Sequence, residues 1–250
     1  MRKFKSSVAR RALVALILAC SAKVHAQRVG WSTTIEASGT VLFGNSSERI
    51  AASRLQFGRA DSTIEVRSDA RLRYAEAKAD SGARIVTGRA WLLSVAADYR
   101  PFATVSPFGF GTVESSLQLS IARRTSVGAG AKYTFVRRGN DEASVSLALL
   151  DERTRPANSE ETTARRRWSL RVRGRRKFGA VSLSHVTFYQ PSVSDFDRFT
   201  VNTTTTLGVD LTGSIALTTT LEDVYDSEAR SRGARRNTDG QLVFGVRASF

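Results

Sequence analysis

The chain has 250 residues, with 38 Lys and Arg against 23 Asp and Glu, for a formal charge of +15. One cysteine and two histidines exclude a disulfide framework and a histidine-rich metal centre. Apolar residues make up 41% of the chain, yet no run reaches the roughly 17–25 residues of a membrane-spanning helix, which weighs against an N-terminal membrane anchor.

The first segment, 1–26, carries Arg2, Lys3, Lys5, Arg10 and Arg11, then the apolar run "ALVALILAC" (12–20), then small residues at Val24 and Ala26. This order of charged, apolar and small-residue regions predicts a secretory signal peptide cleaved after Ala26, leaving 27–250 as the mature chain. Cys20 after "ILA" resembles a lipoprotein cleavage site, but Leu18 is a poor residue just before the small one. The leader takes six Lys/Arg and no acid with it, so the mature charge falls to about +9 and no cysteine remains. Part of the basicity is therefore a targeting feature. The one histidine left is His185.

From 27 onward no window gives a helical stripe, and no linker or composition break divides the chain. What recurs is a period of two, broken by Gly, Asn, Asp and Ser turns. It predicts twelve strands near 31–43, 48–59, 63–77, 83–99, 106–115, 123–136, 142–152, 164–178, 180–190, 196–210, 214–224 and 239–250. In 63–74, Ile64, Val66, Ala70, Leu72 and Tyr74 share one face, and Glu65, Arg67, Asp69, Arg71 and Arg73 the other. In 123–136, Val127, Ala129, Ala131, Tyr133 and Phe135 oppose Arg124, Ser126, Gly128, Gly130 and Lys132. The clearest case is "ARRRWSLRVRGRRKF" (164–178), where Trp168, Leu170 and Val172 interleave with Arg165, Arg167, Arg171, Arg173 and Arg175. A helix would scatter that charge all round, whereas an extended chain puts it on one face.

An even number of alternating strands predicts an antiparallel, up-and-down transmembrane β-barrel with apolar residues against lipid. If the first strand runs outward, the two longest polar connections, "TRPANSEETTA" and "DSEARSRGARRNTD", both fall outside, and most inner turns are short, as in outer-membrane barrels. Aromatic residues are expected as girdles: Trp31, Tyr99, Phe108, Phe178 and Phe250 at one rim, and Phe43, Tyr74, Trp168, Tyr189 and Phe196 toward the other.

The C-terminal "VFGVRASF" (243–250) alternates apolar residues and ends on Phe250, with Gly245 five residues earlier. It resembles the assembly signal of outer-membrane proteins, although Ala248 and Val243 depart from the usual aromatic and polar residues. Further, "WSTTIEASGTVLFGNSS" (31–47) and "SVGAGAKYTF" (126–135) resemble the outer-membrane family catalogued as domain of unknown function 481 (YdiY-like). "SPFGFG" (106–111) departs from its polar strand pattern. The resemblance implies an outer-membrane barrel of a Gram-negative envelope and brings no catalytic residues.

The interior is expected to be basic: Arg54, Arg67, Arg71, Arg73, Arg84, Arg124, Lys132, Arg165, Arg167, Arg171, Arg173, Arg175, Arg198 and Arg247, against Glu36, Glu65, Asp69, Asp98, Asp210 and Glu222. The leading reading is a porin-like barrel, either a narrow pore preferring small anions or an electrostatically plugged structural barrel. Its expected partners are outer-membrane lipid and the barrel assembly machinery. No cofactor, metal or nucleic acid is expected. A soluble exported β-sandwich or barrel would bury the apolar faces instead. A barrel-embedded lipid hydrolase would need a base, and His185, expected at a rim or in the lumen, has only Ser184 and Val186 beside it, so no enzyme is expected.

Overall fold

A computed structural model describes residues 30–41, 48–78, 83–138 and 141–250. The leader 1–26 with Ala26, the girdle residue Phe43 and the connections 44–47 and 79–82 lie outside the described residues. Twelve strands form: β1 (Trp31–Val41), β2 (Glu48–Ala60), β3 (Ile64–Lys78), β4 (Arg84–Tyr99), β5 (Val105–Ser116), β6 (Ile121–Arg138), β7 (Asp141–Pro156), β8 (Thr163–Phe178), β9 (Val181–Pro191), β10 (Phe199–Asp210), β11 (Ile215–Asp226) and β12 (Thr238–Ser249). Each strand pairs antiparallel with its sequence neighbours, and β1 pairs with β12, so the sheet closes into a barrel. The one helical element among the described residues is a 3₁₀ turn at Arg230–Arg232.

The alternation decides which side faces what. Leu72 and Val127 are each 62% exposed on the outer surface, whereas Asp98 and Arg167 are 1% exposed inside. A soluble barrel would show the reverse. Closure gives every strand two partners, which hydrocarbon requires because an open edge leaves backbone groups unpaired. With an apolar exterior and a polar interior, the chain is an outer-membrane β-barrel.

The two ends of the barrel differ. At the end that holds Trp31 and Phe250, the connections span two to five residues, including the Gly179–Ala180 turn. Gly179 adopts φ +58°, which a side chain would strain. We call this the terminal end. At the opposite loop end the connections run from four to eleven residues, the longest being 227–237. Trp31, Tyr99, Phe178 and Phe250 are exposed near the terminal end, and Tyr74, Trp168, Tyr189 and Phe196 toward the loop end.

Phe108 and Arg198 depart from their expected positions. Phe108 is 9% exposed and lies inside the barrel, not at a rim, because β5 starts at Val105 and its even residues face inward. Arg198 belongs to the β9–β10 loop rather than to a strand. Its N–H donates to the Asp195 carbonyl and its guanidinium pairs with the Asp195 carboxylate at 2.8 Å, closing a turn that delays β10 to Phe199.

Candidate functional site

The inward faces of twelve strands build one site, the lumen. The predicted basic residues of β3 (Arg67, Arg71, Arg73) and β8 (Arg165, Arg167, Arg171, Arg173, Arg175) all turn inward, since their outward neighbours Val66, Leu72, Trp168, Leu170 and Val172 are exposed. Three layers follow from loop end to terminal end.

At the loop end, Arg124 of β6 stretches to Asp226 of β11, five strands round the twelve-strand ring, and donates to its carboxylate at 2.7 Å. The same guanidinium donates to Glu114 at 3.1 Å and lies 3.7 Å from Glu152. Arg232, from the 227–237 loop, shares the Asp226 carboxylate at 2.6 Å. Beside this group Glu228 of the loop pairs with Arg165, Arg167 and Arg198. Arg167 also contacts Glu152 at 3.1 Å and donates to the carbonyls of Gln190 and Arg198. Leu119, Ile121 and Ala229 form a small buried apolar cluster against the same loop, with Val224 and Ala234 packed on it. The loop therefore folds into the mouth and is latched on both sides. Removing one member of a buried pair costs about 3–5 kcal/mol because the other charge is stranded.

In the middle, Asp69 accepts from Arg54, from Arg71 at 2.9 Å and from Gln56 at 3.0 Å. Arg71 also reaches Glu222 of β11 at 3.5 Å, and Arg73 reaches Asp239 of β12 at 3.1 Å. A cavity of about 190 Å³ remains between these walls, lined by Arg54, Arg71, Arg73, Glu114, Glu222 and Asp239 among others.

Toward the terminal end, Asp98 is held by Arg67 at 2.9 Å and by Lys132 at 2.6 Å. Arg171 donates from Nε to Ser146 Oγ at 3.0 Å, with its guanidinium carbon 5.2 Å from the Phe108 ring centre and 5.9 Å from that of Phe188. Phe108 and Phe110 stack inside the barrel with centres 6.1 Å apart. Their cross-strand partners on β6 are Gly130 and Gly128, which leave room for the rings. This explains "SPFGFG": the aromatics fill space that glycines vacate. The β10–β11 wall bears hydroxyls, with Thr206 and Thr220 bonded at 3.0 Å.

The sequence reading underestimated the interior acids. Glu114, Glu152, Asp226, Glu228 and Asp239 join the expected set and pair with arginines. Arg84, expected in the lumen, sits at the start of β4, partly exposed, and pairs with Glu76 at 2.7 Å. Glu114 was legible from its alternation with Val113, whereas Glu152 is flanked by Asp151 and Arg153, so no apolar face marked its side. His185 is neither rim nor lumen. It pairs across the outward-facing Gly174, and its ring nitrogens contact Thr205 at 2.8 Å and Thr187 at 2.9 Å on the outer surface. Leu183 and Tyr189 share that face of β9, so an odd-numbered register fixes its direction.

Over residues 35–250 the chain matches the profile of a family described as "Protein of unknown function, DUF481". No curated protein matches it. Among solved structures it is similar to the KdgM porin in complex with disordered oligogalacturonate, at 13% identity over 88% of this chain and 99% of that one, with a TM-score of 0.43. It is similar to the COG4313 outer membrane channel from Pseudomonas putida F1, at 12% identity over 88% and 95%, with a TM-score of 0.46. The translocator domain of the autotransporter NalP from Neisseria meningitidis shows 10% identity over 97% and 96%, with a TM-score of 0.43.

Proposed function

The chain belongs to the DUF481 family, and we propose that it is a narrow, anion-preferring outer-membrane channel held shut at its loop end by an ion-pair latch. The observation that carries this reading is Arg124 crossing from β6 to Asp226 of β11. That bridge, with Glu228 gripped by three arginines, leaves a solute no unobstructed way through the mouth. The anion preference rests on the terminal-end half, where Arg67, Lys132, Arg171, Arg173 and Arg175 outnumber the acids Asp98, Glu65 and Glu142, and where Arg171 and Arg173 form no direct ion pair among the described residues. Basic rings favour anions where water is scarce.

The proposed partners are outer-membrane lipid, a small anionic solute and, through Gly245 and Phe250, the barrel assembly machinery. The leader 1–26 would direct export. We propose no enzymatic role: both nitrogens of His185 meet threonine hydroxyls, and no carboxylate orients the ring.

Planar-bilayer recording under a KCl gradient tests the reading. The native protein should conduct little at low salt, and Glu228→Gln should raise the open probability, with a reversal potential on the anion side. A cation-selective reversal potential overturns the anion channel. Silence of both the native protein and Glu228→Gln leaves a plugged structural barrel.

A further inference from the structure

Among the described residues, Arg171 and Arg173 stand outside the ion pairs of the lumen. Arg54, Arg67, Arg71, Arg73, Arg124, Arg165 and Arg167 each have a carboxylate within 4 Å. Arg171 has none among the described residues. Its Nη2 is buried and lacks a hydrogen-bond partner there. Of the nearby acids, Asp98 is already shared by Arg67 and Lys132, and Glu142 acts only from a distance. A buried cation without a direct ion pair is costly, and the fold keeps this one fixed by Ser146 on one edge and by two aromatic rings.

We infer that Arg171 is the receptor of a binding site for a small carboxylate with a flat apolar body, entered from the terminal end. The inference rests on reading the lumen as an anion path. A guanidinium edge offers parallel N–H donors that match a carboxylate. Phe108 and Phe188, both within cation–π range, give that edge apolar flanks, and Phe110 extends the flat surface beside Phe108. Gly128 makes the surface possible: a Cβ there would meet Phe110 at 2.9 Å. The approach is graded. Arg173 and Arg175 follow Arg171 on the same strand face at intervals of about 6.6–6.8 Å, and exposure rises from half-buried Arg173 to exposed Arg175. An anion is thus drawn from the mouth to a guanidinium whose Nη2 has no hydrogen-bond partner among the described residues.

Calorimetric titration of the refolded, detergent-solubilised protein at low ionic strength tests this, with benzoate, inorganic phosphate and benzyl alcohol as probes. Benzoate should bind saturably and benzyl alcohol should not. Arg171→Gln should weaken benzoate by about tenfold or more, as expected for loss of a charged hydrogen-bond partner. Arg166→Gln removes a charge from the outward face of the same strand and should leave affinity unchanged. Phe188→Leu should weaken benzoate more than phosphate. All variants are first checked for the compact band of folded barrels in unheated gels. Absence of saturable benzoate binding, or equal loss in Arg166→Gln and Arg171→Gln, overturns the site. Phosphate binding as tight as benzoate, indifferent to Phe188→Leu, overturns the carboxylate assignment. The channel reading is judged separately, by the reversal potential: an anion-selective protein that ignores benzoate keeps the channel and loses the site.

Discussion

Gly130 offers the sharpest test of the packing that shapes the lumen. A Cβ there would fall against the Leu147 carbonyl oxygen and lie 2.6 Å from the Ala148 Cα, both main-chain atoms of the paired strand β7. Neither can rotate away, so Gly130→Ala must push β6 and β7 apart. Overpacking of this kind costs about 1–3 kcal/mol, offset by about 0.4–1 kcal/mol because alanine restricts the unfolded chain. The net expectation is a loss of about 1–2 kcal/mol. Gly174→Ala is the internal control, since a Cβ there meets nothing within 4 Å, and it should be neutral or gain up to about 1 kcal/mol. Guanidinium unfolding in lipid vesicles, followed by fluorescence of the exposed Trp31, Trp91 and Trp168, would separate the two variants by roughly 2 kcal/mol. Equal midpoints for Gly130→Ala and Gly174→Ala would refute the close approach of β6 and β7.

Deleting Phe250 removes two backbone hydrogen bonds to Thr33, at 3.0 and 2.9 Å, and should lower the heat-modifiable folded fraction in membranes; a normal yield would make the residue incidental. Asp61, in the β2–β3 turn, accepts N–H bonds from Ile64 and Thr63 that hold its carboxyl below the usual carboxylate range. The folded group therefore ionises at lower pH than the unfolded one, so its stabilisation is complete above the unfolded value and is lost as pH falls through the lower folded value. Asp61→Asn should flatten the stability profile in that acidic window, and an unchanged profile would refute the turn's contribution. Asp226→Asn strands Arg124 and Arg232 partly, since Glu114 and Glu152 remain near Arg124; a loss of about 1–3 kcal/mol in the unfolding free energy is expected, and none would show the bridge to be weak. N-terminal sequencing of the membrane-inserted protein should read from Gln27, and any other start would displace the cleavage site from Ala26.

Strand number and direction were legible because each strand had to solve the same problem, lipid on one face and water or charge on the other. The segment 164–178 is the model case, and β8 runs over Thr163–Phe178. Sidedness failed where that contrast vanished. His185 follows Ser184 and precedes Val186, and its neighbours at two residues' spacing are Leu183 and Thr187, so no clean period assigned it. Phe108 read as a rim aromatic because a phenyl ring favours lipid, and nothing local reveals that it stands opposite Gly130 on the inner face. The cross-lumen pairs were invisible for a different reason. Arg124 and Asp226 are 102 residues apart, and their meeting depends on barrel closure and diameter, which no local period encodes.

The seam between β1 and β12 is short: it runs from the Thr33–Phe250 pair to Ser38–Gly245, whereas β1 meets β2 over its whole length. Every other strand pair is a hairpin that a short connection brings together, so each can form early and locally. The seam alone joins chain ends more than two hundred residues apart, and its loop-closure entropy is the largest in the molecule. A folding barrel should accordingly grow as a curved open sheet, one hairpin after another, and zip shut last at the edge with least to gain from zipping. That ordering makes the seam the rate-setting event of assembly and the first place to part under stress. Kinetic stability of the inserted barrel would then respond to substitutions at Glu36, Ala37, Val246 and Arg247 more than to equal changes in the longer pairs.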